Sequence, residues 1–427
     1  MIGIVADDIT GANDIGIMYA KAGLSTDVYP LEALDDAAPG HPQALVVDTN
    51  SRLDSPEEAY RKVRAATLAL RDAGCRRFLN KSCSVFRGNV GAEFDAMLDA
   101  LDASFMVIVL GFPKNGRTTL DGIHYVRGVP LEQSEFRHDP VHPMTESNLI
   151  GILQSQTKRT VDGIPIGIVE QGAEALRAEI ERKRSVCQYL ILDVRDQDSL
   201  RIIAEAVREE PLLGGSSALS EELALLLPKP TAESGEPGLP VPEAPEGVFC
   251  VAGSLMPQTA AQVEDAIRHG IAAFELDSFL LLEKETRERH AAEQARSVCS
   301  ELAAGRSALL YASNDKEKVA ETKRRASALG LSNAGVSRLV SAALSDAAAM
   351  VVDASGTRRL LVAGGETSAA VCARLGIGGL RILKEIEPGL PSCLSLGEPQ
   401  IRLVLKSGSF GSERFFTKAI GHLNALP

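Results

Sequence analysis

The chain has 427 residues, of which 45% are hydrophobic and 24% are charged, and its formal net charge is −12. This length exceeds that of an ordinary single domain, so two domains are expected, each with its own core. The acidic charge, the 4% aromatic content and the lack of tryptophan argue against a nucleic-acid-binding protein, which would need basic patches and aromatic stacking surfaces. Small anionic ligands stay compatible with this composition, because an individual site can be basic in an acidic protein.

Three features of the sequence bear on its compartment. The first residues, MIGIVADD, contain no basic region and soon reach an acidic pair, so they predict a first strand and not a signal peptide. We expect no apolar run long enough to span a membrane. The seven cysteines are scattered and form no CxxC pair, which indicates reduced thiols in the cytoplasm and no zinc site. The predicted localisation is therefore cytoplasmic, and no residue is assigned as a metal ligand.

The chain opens with a predicted strand, residues 2–6, which ends in Asp7 and Asp8 before a helix that stops at Gly23. Two carboxylates at the end of a strand are able to orient a hydroxyl group or hold a cation. Alternatively, one of them caps the helix. We expect each role to fall to one of the two residues.

The next two predicted strands also end in polar loops. Residues 44–48 are followed by TNSR, which places Arg52 before a long amphipathic helix capped by Ser55. A strand around residues 78–79 leads into a second loop. Its candidate binding residues are Lys81, Ser82, Cys83, Ser84 and Arg87. Two cations and two hydroxyl groups in so short a loop suit an oxyanion, whereas the plain alternative for Arg52 is a solvent-facing position and for Cys83 a buried thiol.

The rest of the first half alternates between strands and helices. A predicted strand at residues 105–110 ends in GFPKNGR with Arg117, and GIHYVRGVPL is typical of a hairpin-like excursion. His124, beside these loops, is expected to be a hydrogen-bonded structural residue. The later predicted elements are strands at 166–169, 189–194 and 212–213 and helices at 173–183 and 199–208.

A change in composition divides the chain. Residues 228–247, PKPTAESGEPGLPVPEAPEG, contain six prolines and three glycines with almost no apolar period, which indicates a linker. The predicted organisation is an N-terminal domain at 1–228, a linker at 229–247 and a C-terminal domain at 248–427. Both domains have an ordinary size.

Three predicted strands of the second half end in loops of small residues. The strand at 248–252 leads to Gly253 and Ser254, the strand at 360–363 leads to GGETS, and the strand at 401–405 leads to KSGSFG. Ligands of open α/β sheets bind at the carboxyl ends of the strands. Three such loops together therefore favour a nucleotide site over three unrelated turns.

Of the three loops, the GGETS loop, residues 364–368, has the features that best suit a bound phosphate. Without side chains at Gly364 and Gly365 a phosphate can approach the main chain closely, and the helix that follows presents N–H groups and a positive dipole end to it. We expect Thr367 or Ser368 to cap this helix and Glu366 to bind a ribose hydroxyl or to order water around a metal. A tight turn without any ligand is the alternative.

Several motifs occur in the same order in a known family. They are ADDITGANDIG, VVDTNSR, NKSCSVFRGNVGAEFDA, GFPKNGR, GIHYV, the Gly253-Ser254 pair with TAAQ downstream, GGETS and LKSGSFG. On these motifs, which extend over both halves nearly end to end, the chain resembles the four-carbon acid sugar kinases. Its ADDITGANDIG opening is most similar to the D-threonate kinase branch.

The resemblance implies two α/β domains with largely parallel sheets and an active site in the cleft between them. The N-terminal domain would bind a sugar acid, and the C-terminal domain would bind ATP with Mg²⁺. The implied reaction is ATP-dependent phosphorylation of the 4-hydroxyl group of D-threonate, with D-erythronate or 3-oxo-tetronate as alternative acids. The implied partners are these small molecules, with no nucleic acid and no membrane, and a homodimer is compatible with the sequence.

The resemblance also implies roles for residues at matching positions. For the acid site it implies Asp7 or Asp8, Arg52 and residues 81–84. The predicted catalytic residues are Asp7 and Asp8, because they end the first strand next to this site. The predicted substrate-binding residues are Asp8, Arg52, Lys81, Ser82, Cys83, Ser84, Arg87 and Arg117. The implied nucleotide-binding residues are Ser254, Gly364, Gly365, Glu366, Thr367, Gly408, Ser409 and Gly411. Arg52 and Lys81 are predicted to hold the substrate carboxylate.

One loop departs from the family. In the family this loop is expected to contain an acidic residue followed by a serine, in a sequence close to DSTLRGN. This chain has KSCSVFRGN there, with Cys83 and Val85-Phe86.

Two other functions compete with a kinase. A nicotinamide-dependent dehydrogenase of hydroxy acids would need a G-x-G-x-x-G motif after the first strand, and the sequence has none there. A non-catalytic sugar-acid sensor is compatible with the same motifs. Stabilisation by ATP–Mg²⁺ but not by NAD separates a kinase from a dehydrogenase, and ATP-dependent ADP release separates it from a sensor.

Overall fold

The computed structural model describes residues 1–34, 42–139, 141–227 and 247–425. The chain divides into two compact units, Met1–Ser234 and Gly235–Pro427. The predicted linker lies outside the described residues except for its last position, Gly247. Each unit contains a mostly parallel sheet flanked by helices, so the predicted α/β class is confirmed.

The N-terminal unit has a parallel sheet and a small antiparallel one. Its described strands are β1 (Ile2–Ala6), β2 (Thr26–Pro30), β3 (Ala44–Asp48), β4 (Arg77–Lys81), β5 (Met106–Val109), β6 (Arg117–Leu120), β7 (Ile123–Val126), β8 (Val129–Pro130), β9 (Val161–Ile164), β10 (Tyr189–Leu192) and β11 (Leu212–Gly215). Its described helices are α1 (Ile9–Ala20), α2 (Pro56–Asp72), α3 (Val90–Ala100), α4 (Leu149–Gln154), α5 (Ile166–Val169), α6 (Ala173–Arg184), α7 (Gln197–Ala206) and α8 (Ala218–Leu225).

The main sheet of this unit brings the polar loops together. Its strands lie in the order β2-β3-β1-β4-β11-β5-β10-β9, and the neighbouring pairs are parallel. Ala6 pairs with both Asp48 and Lys81, so β3, β1 and β4 end at the same level. The predicted hairpin is confirmed as the antiparallel sheet β6-β7-β8.

The C-terminal unit has one sheet with a parallel and an antiparallel part. Its described strands are β12 (Phe249–Ala252), β13 (Ala272–Leu276), β14 (Ala308–Ala312), β15 (Arg359–Ala363), β16 (Leu380–Glu387), β17 (Leu390–Ser395) and β18 (Arg402–Lys406). Its described helices are α9 (Pro257–Arg268), α10 (Lys284–Ala303), α11 (Lys316–Ala328), α12 (Asn333–Ser355), α13 (Gly365–Arg374) and α14 (Phe415–Ala425). The order is β13-β14-β12-β15-β18-β17-β16, parallel as far as β18 and antiparallel beyond it.

Two sequence predictions about single elements are wrong. Residues 166–169 form the short helix α5 and not a strand; the strand is β9, Val161–Ile164. Because β9 lies at the sheet edge and contains Asp162 and Gly163, it lacks the continuous apolar run of a central strand. The apolar residues that follow Pro165 pack as a helix against α6 and α7 instead.

The second correction concerns α12. By length and composition this helix is long and apolar enough to cross a membrane, contrary to our expectation that no segment would be. Half of the residues in its apolar window are buried inside the structure, and the helix packs against α10 and α13. Its apolar composition is therefore accounted for by its place in the core of the C-terminal unit.

Candidate active site

Asp8 connects β1 to α1. Its side chain accepts a hydrogen bond of 2.7 Å from the N–H of Gly11 and another of 3.1 Å from the hydroxyl of Thr10. The predicted cap of this helix is thus Asp8. Burial raises the pKa of the Asp8 carboxyl, but the charges of Arg52 and Lys81 and the Gly11 N–H outweigh burial and hold the pKa below its usual range.

Arg52 binds both carboxylates of the acidic pair. Its Nε and Nη2 donate to the two oxygens of Asp7 at 2.7 Å, and its Nη1 donates to Oδ2 of Asp8 at 2.5 Å. The fork of a guanidinium group matches a carboxylate bidentately. The solvent-facing alternative for Arg52 is wrong, since its side chain is 14% exposed. Burial lowers the pKa of Arg52, but Asp7 and Asp8 outweigh burial and raise the pKa well above its usual value.

Lys81 extends this network into α1. Its ammonium lies 3.3 Å from Oδ2 of Asp14 and donates to the carbonyl oxygen of Ser82 at 3.1 Å. The hydroxyl of Ser217 donates to the same Asp14 oxygen at 2.8 Å. Burial raises the pKa of Asp14 to about 6, although Lys81 opposes this rise. The sequence prediction did not include Asp14, although ADDITGANDIG contains it as a third aspartate, six residues after Asp8.

The loop after β4 holds a second cation. Nη1 of Arg87 donates to Asp139 at 2.6 Å, its Nε donates to the Cys83 sulfur at 3.4 Å, and its guanidinium carbon lies 5.2 Å from the ring centre of Phe136. Cys83 is buried, which agrees with the alternative of a buried thiol. Burial raises the pKa of its thiol, but Arg87 and Arg52 outweigh burial and lower the pKa.

Arg117 and His124 lie on the small antiparallel sheet. Arg117 is 2% exposed, and its guanidinium carbon lies 5.9 Å from the ring centre of Phe136. The Arg87 guanidinium packs on this same ring. His124 is buried, with its two ring nitrogens 3.0 Å from the Thr119 hydroxyl and from the Ser84 carbonyl oxygen. Burial lowers the pKa of His124 to about 3, so the ring is neutral at physiological pH, which supports the structural role expected for it.

Two further carboxylates near the acidic pair were missed by the sequence prediction. Asp48, the last residue of β3, accepts the N–H of Asn50 at 2.9 Å, and burial raises its pKa to about 8. Glu93 accepts the Ser51 hydroxyl at 2.7 Å, and burial together with the Asp7 charge raises its pKa. Both belong to strongly apolar segments, so periodicity alone marks them as core positions.

The three glycine loops of the C-terminal unit meet at the carboxyl ends of the neighbouring strands β12, β15 and β18. The N–H of Gly253 donates to the Ala363 carbonyl at 3.0 Å, and the N–H of Gly364 donates to the Lys406 carbonyl at 2.8 Å. A Cβ atom at Gly253 would lie 2.1 Å from Oγ1 of Thr367, and one at Gly408 would lie 2.1 Å from Oγ of Ser254. The loops pack closely enough that side chains are excluded at these positions.

The helix α13 begins at Gly365, with Gly364 in its N-cap position at a φ of 121°. The predicted cap is wrong, because no side chain caps this helix. Oγ1 of Thr367 packs instead toward Gly253 and lies 3.4 Å from the Ser341 hydroxyl. The first N–H groups of a helix have no intrahelical acceptor, so this terminus is suited to an anion such as a phosphate.

Glu366 lies in the first turn of α13. Its Oε2 accepts the Ser337 hydroxyl of α12 at 2.6 Å, and its Oε1 has no hydrogen-bond partner among the residues that the structure describes. Burial raises its pKa. Among the described residues, no group of three or more His, Cys, Asp or Glu side chains could hold a metal ion. Mg²⁺ bound with a nucleotide does not need such a group, since one or two carboxylates and the phosphates suffice.

Family comparisons match both units. A sugar-binding N-terminal domain matches residues 2–223, and a nucleotide-binding C-terminal domain matches residues 249–416. The chain is 35% identical to a 3-oxo-tetronate kinase of Pseudomonas fluorescens, covering 99% of this chain and 97% of the relative. The chain belongs to the four-carbon acid sugar kinase family. A 3-oxo-tetronate kinase of Salmonella typhimurium is 34% identical, with 98% of both chains covered.

Solved structures share the fold of this chain over nearly its whole length. The structure of a putative tRNA synthase from Salmonella typhimurium LT2 is 30% identical and superposes with a TM-score of 0.78 over 98% of both chains. A structure from Haemophilus influenzae is 29% identical, with a TM-score of 0.69 over 99% of this chain and all of the other. As a sugar-acid kinase the protein uses ATP and a sugar acid as its substrates.

Proposed function

We propose that this sugar-acid kinase transfers the γ-phosphoryl group of ATP to the terminal 4-hydroxyl group of a 3-oxo-tetronate. The observation that carries the proposal is the pair of anion sites in one chain. One is the buried Arg52–Lys81 network at the edge of the N-terminal sheet, and the other is the uncapped start of α13. The choice of acid is supported by the curated relatives, which are 3-oxo-tetronate kinases at 35% and 34% identity over nearly the whole chain.

The N-terminal network provides a site for the carboxylate of the acid. A guanidinium group has five N–H donors, and Arg52 uses three of them on Asp7 and Asp8. Two donors remain for a substrate oxygen, and Lys81 supplies a second cation next to them. The roles of Ser82, Cys83, Ser84, Arg87 and Arg117 in substrate binding stay predictions.

One of the acidic pair serves as the base for the acceptor hydroxyl. Asp8 is committed to the cap of α1, which leaves Asp7 as the favoured base. Both Asp7 oxygens accept from Arg52, but an ionised carboxylate has about four lone-pair sites and can accept a hydroxyl proton as well. Phosphoryl transfer depends mainly on positioning and charge neutralisation, so a weak base suffices. The location of the active site in a cleft between the two domains remains a prediction.

The nucleotide site is assigned to the three glycine loops. Phosphate oxygens would lie at the N–H groups of Gly365, Glu366 and Thr367 and against the loops of Ser254 and residues 408–411. Mg²⁺ neutralises phosphate charge when it is bound with ATP. Glu366, with one oxygen unpartnered, is the carboxylate placed to order its water ligands.

D-Threonate is the second candidate substrate. The observation that favours it is the opening ADDITGANDIG, which is most similar to the D-threonate kinase branch. That segment contains Asp7, Asp8 and Asp14, the three carboxylates bound to Arg52 and Lys81, so a difference there would bear directly on the bound acid.

A substrate panel tests the proposal. Purified protein is incubated with ATP, Mg²⁺ and each of 3-oxo-tetronate, D-threonate, D-erythronate and L-threonate, and ADP release is followed together with the position of the new phosphate by ³¹P NMR. We expect the highest kcat/KM with a 3-oxo-tetronate and a phosphate on O4. Highest activity with D-threonate would establish the second candidate. ATP binding with no turnover of any acid would support a sugar-acid sensor and overturn the proposal.

A further inference from the structure

Lys406, the last residue of β18, is fully buried, and its ammonium group faces the inside of its own loop. Its Nζ donates to the carbonyl oxygens of Ser407 at 2.7 Å, Gly408 at 3.2 Å and Phe410 at 3.2 Å. A fourth oxygen, Oγ1 of Thr259, lies at 3.0 Å. Four oxygens around one positive charge resemble the coordination of a small cation by a backbone loop.

A second layer of contacts holds these oxygens in place. The Thr259 hydroxyl itself donates to the Gly408 carbonyl at 2.8 Å. Nε2 of Gln262 donates to the carbonyls of Phe410 at 3.1 Å and of Ser412 at 2.9 Å. Two side chains of α9 and one lysine therefore draw the carbonyl oxygens of the loop toward the interior.

This arrangement fixes the direction of the amide groups. In a planar trans peptide the N–H points opposite to the C=O, and the cis bond found in the described part of the chain lies elsewhere, before Pro399. With the carbonyls of Ser407, Gly408 and Phe410 turned toward the ammonium, the N–H groups of the next residues are directed away from it. Those residues are Gly408, Ser409 and Gly411, the ones assigned to the nucleotide from the sequence.

We propose that Lys406 is a positioning residue that acts as a built-in cation, ordering the loop 407–411 so that its amide N–H groups face the phosphates of ATP. The inference rests on the proposed nucleotide site. A lysine at the start of such a loop would ordinarily be assigned to the phosphates directly, whereas here its ammonium group donates to the carbonyls of the loop and to Thr259 of α9. Burial lowers the pKa of Lys406 to about 7, and the nearby charge of Glu387 opposes this, so Lys406 carries its full charge below about pH 7.

Two pairs of variants test the role of Lys406. Lys406→Met keeps the length of the side chain and removes the charge, and Lys284→Met is the same change at an exposed lysine of α10. Thr259→Val removes the hydroxyl that bridges Lys406 to Gly408, and Thr259→Ser keeps it. Calorimetric titration with ATP in the absence of acid and the KM for the acid are measured for each variant.

We expect Lys406→Met to weaken ATP binding by about 10–100-fold, the size of effect seen when groups that orient the ligands of a bound metal are lost, while the KM for the acid stays within about twofold. Thr259→Val should also weaken ATP binding. Thr259→Ser and Lys284→Met should leave ATP binding unchanged. If Lys406→Met fails to fold, the Thr259 pair decides the question.

These measurements distinguish a failure of the proposed function from a failure of the inference about Lys406. Absence of ATP binding by the wild-type protein would overturn the proposed function and this inference with it. Wild-type binding together with normal binding by Lys406→Met would overturn the inference alone. A large loss with Lys406→Met but none with Thr259→Val would also overturn it, because the lysine would then act on the nucleotide directly.

Discussion

At the scale of single residues, the acid site depends on the geometry of Arg52. Its guanidinium spans Asp7 and Asp8 with three hydrogen bonds, which a lysine ammonium cannot reproduce because it is a point charge. We predict that Arg52→Lys raises the KM for the acid by about 10–100-fold, equivalent to about 1.5–3 kcal/mol for a charged hydrogen bond. The KM for ATP should change little.

Steady-state kinetics with each substrate varied in turn checks this prediction. Arg61→Lys is the matched control, since Arg61 is 68% exposed on α2 and pairs only locally with Glu58 among the contacts described. Equal increases in the two Michaelis constants of Arg52→Lys would mean that Arg52 supports the fold of the site and not the acid.

The acidic pair provides a second prediction at this scale. Asp8→Asn keeps a side-chain oxygen for the α1 cap but loses the charge that faces Arg52, so it should act mainly on acid affinity and stability. Asp7→Asn should lower kcat by about 10²–10⁴-fold if Asp7 is the base, with nucleotide binding retained. Single-turnover rates and ATP titrations separate the two effects. Near-normal turnover of both variants would remove the pair from the chemistry.

At the scale of elements, the nucleotide site depends on how closely the loop after β12 approaches α13. A Cβ atom at Gly253 would come within 2.1 Å of the Thr367 hydroxyl and 2.8 Å of a Leu344 methyl group. We predict that Gly253→Ala pushes this loop off the first turn of α13 and weakens ATP binding at least about tenfold, because misplacing binding groups by about 1 Å has effects of this size.

Gly421→Ala is the matched control for this substitution. Gly421 lies within α14, and a Cβ atom there would meet nothing within 4 Å. Alanine in a helix interior is favoured over glycine by about 0.5–1 kcal/mol, so this variant should bind ATP normally and melt at the same or a slightly higher temperature. Normal ATP affinity in Gly253→Ala would show that the loop contact is not part of the nucleotide site.

At the scale of the whole molecule, buried carboxyl groups of the N-terminal unit make stability depend on pH. Burial raises the pKa of Asp48 from 3.8 to about 8 and that of Asp14 from 3.8 to about 6. Between the unfolded and the folded pKa the folded state binds more protons, so the free energy of unfolding decreases as the pH rises through that window. Asp14 and Asp48 should therefore each contribute a loss of stability as the pH rises, Asp14 between about pH 4 and pH 6 and Asp48 between about pH 4 and pH 8.

Asp48→Asn tests this dependence. The amide cannot ionise, and its oxygen still accepts the N–H of Asn50. We predict that the melting temperature of Asp48→Asn falls less between pH 6 and pH 8 than that of the wild-type protein, and that the variant is the more stable at pH 8. Asp72→Asn, at an aspartate whose side chain is 71% exposed, serves as the control. A parallel pH profile for all three proteins would contradict the assignment.

Much of the fold follows from local signals in the sequence. Alternating apolar runs and amphipathic segments predicted most of the strands and helices of the N-terminal unit and the strands β12, β15 and β18 of the C-terminal unit. Glycine and polar clusters predicted the loops at the ends of β1, β3, β4, β12, β15 and β18. Several elements of the C-terminal unit were not predicted. These were α11, with its mostly charged surface, the antiparallel strands β16 and β17, and α14.

The sequence by itself determined which residues end each strand, because strand and helix periods and turn residues are local properties. Only the tertiary structure decided what those residues contact. It placed Arg52 on Asp7 and Asp8, 45 and 44 positions away, and Lys406 on Thr259, 147 positions away. It also left the start of α13 without a side-chain cap, because packing against Gly253 and Ser341 turned Thr367 away from it. Strand order and packing set such pairings over long sequence separations, and no local pattern records them.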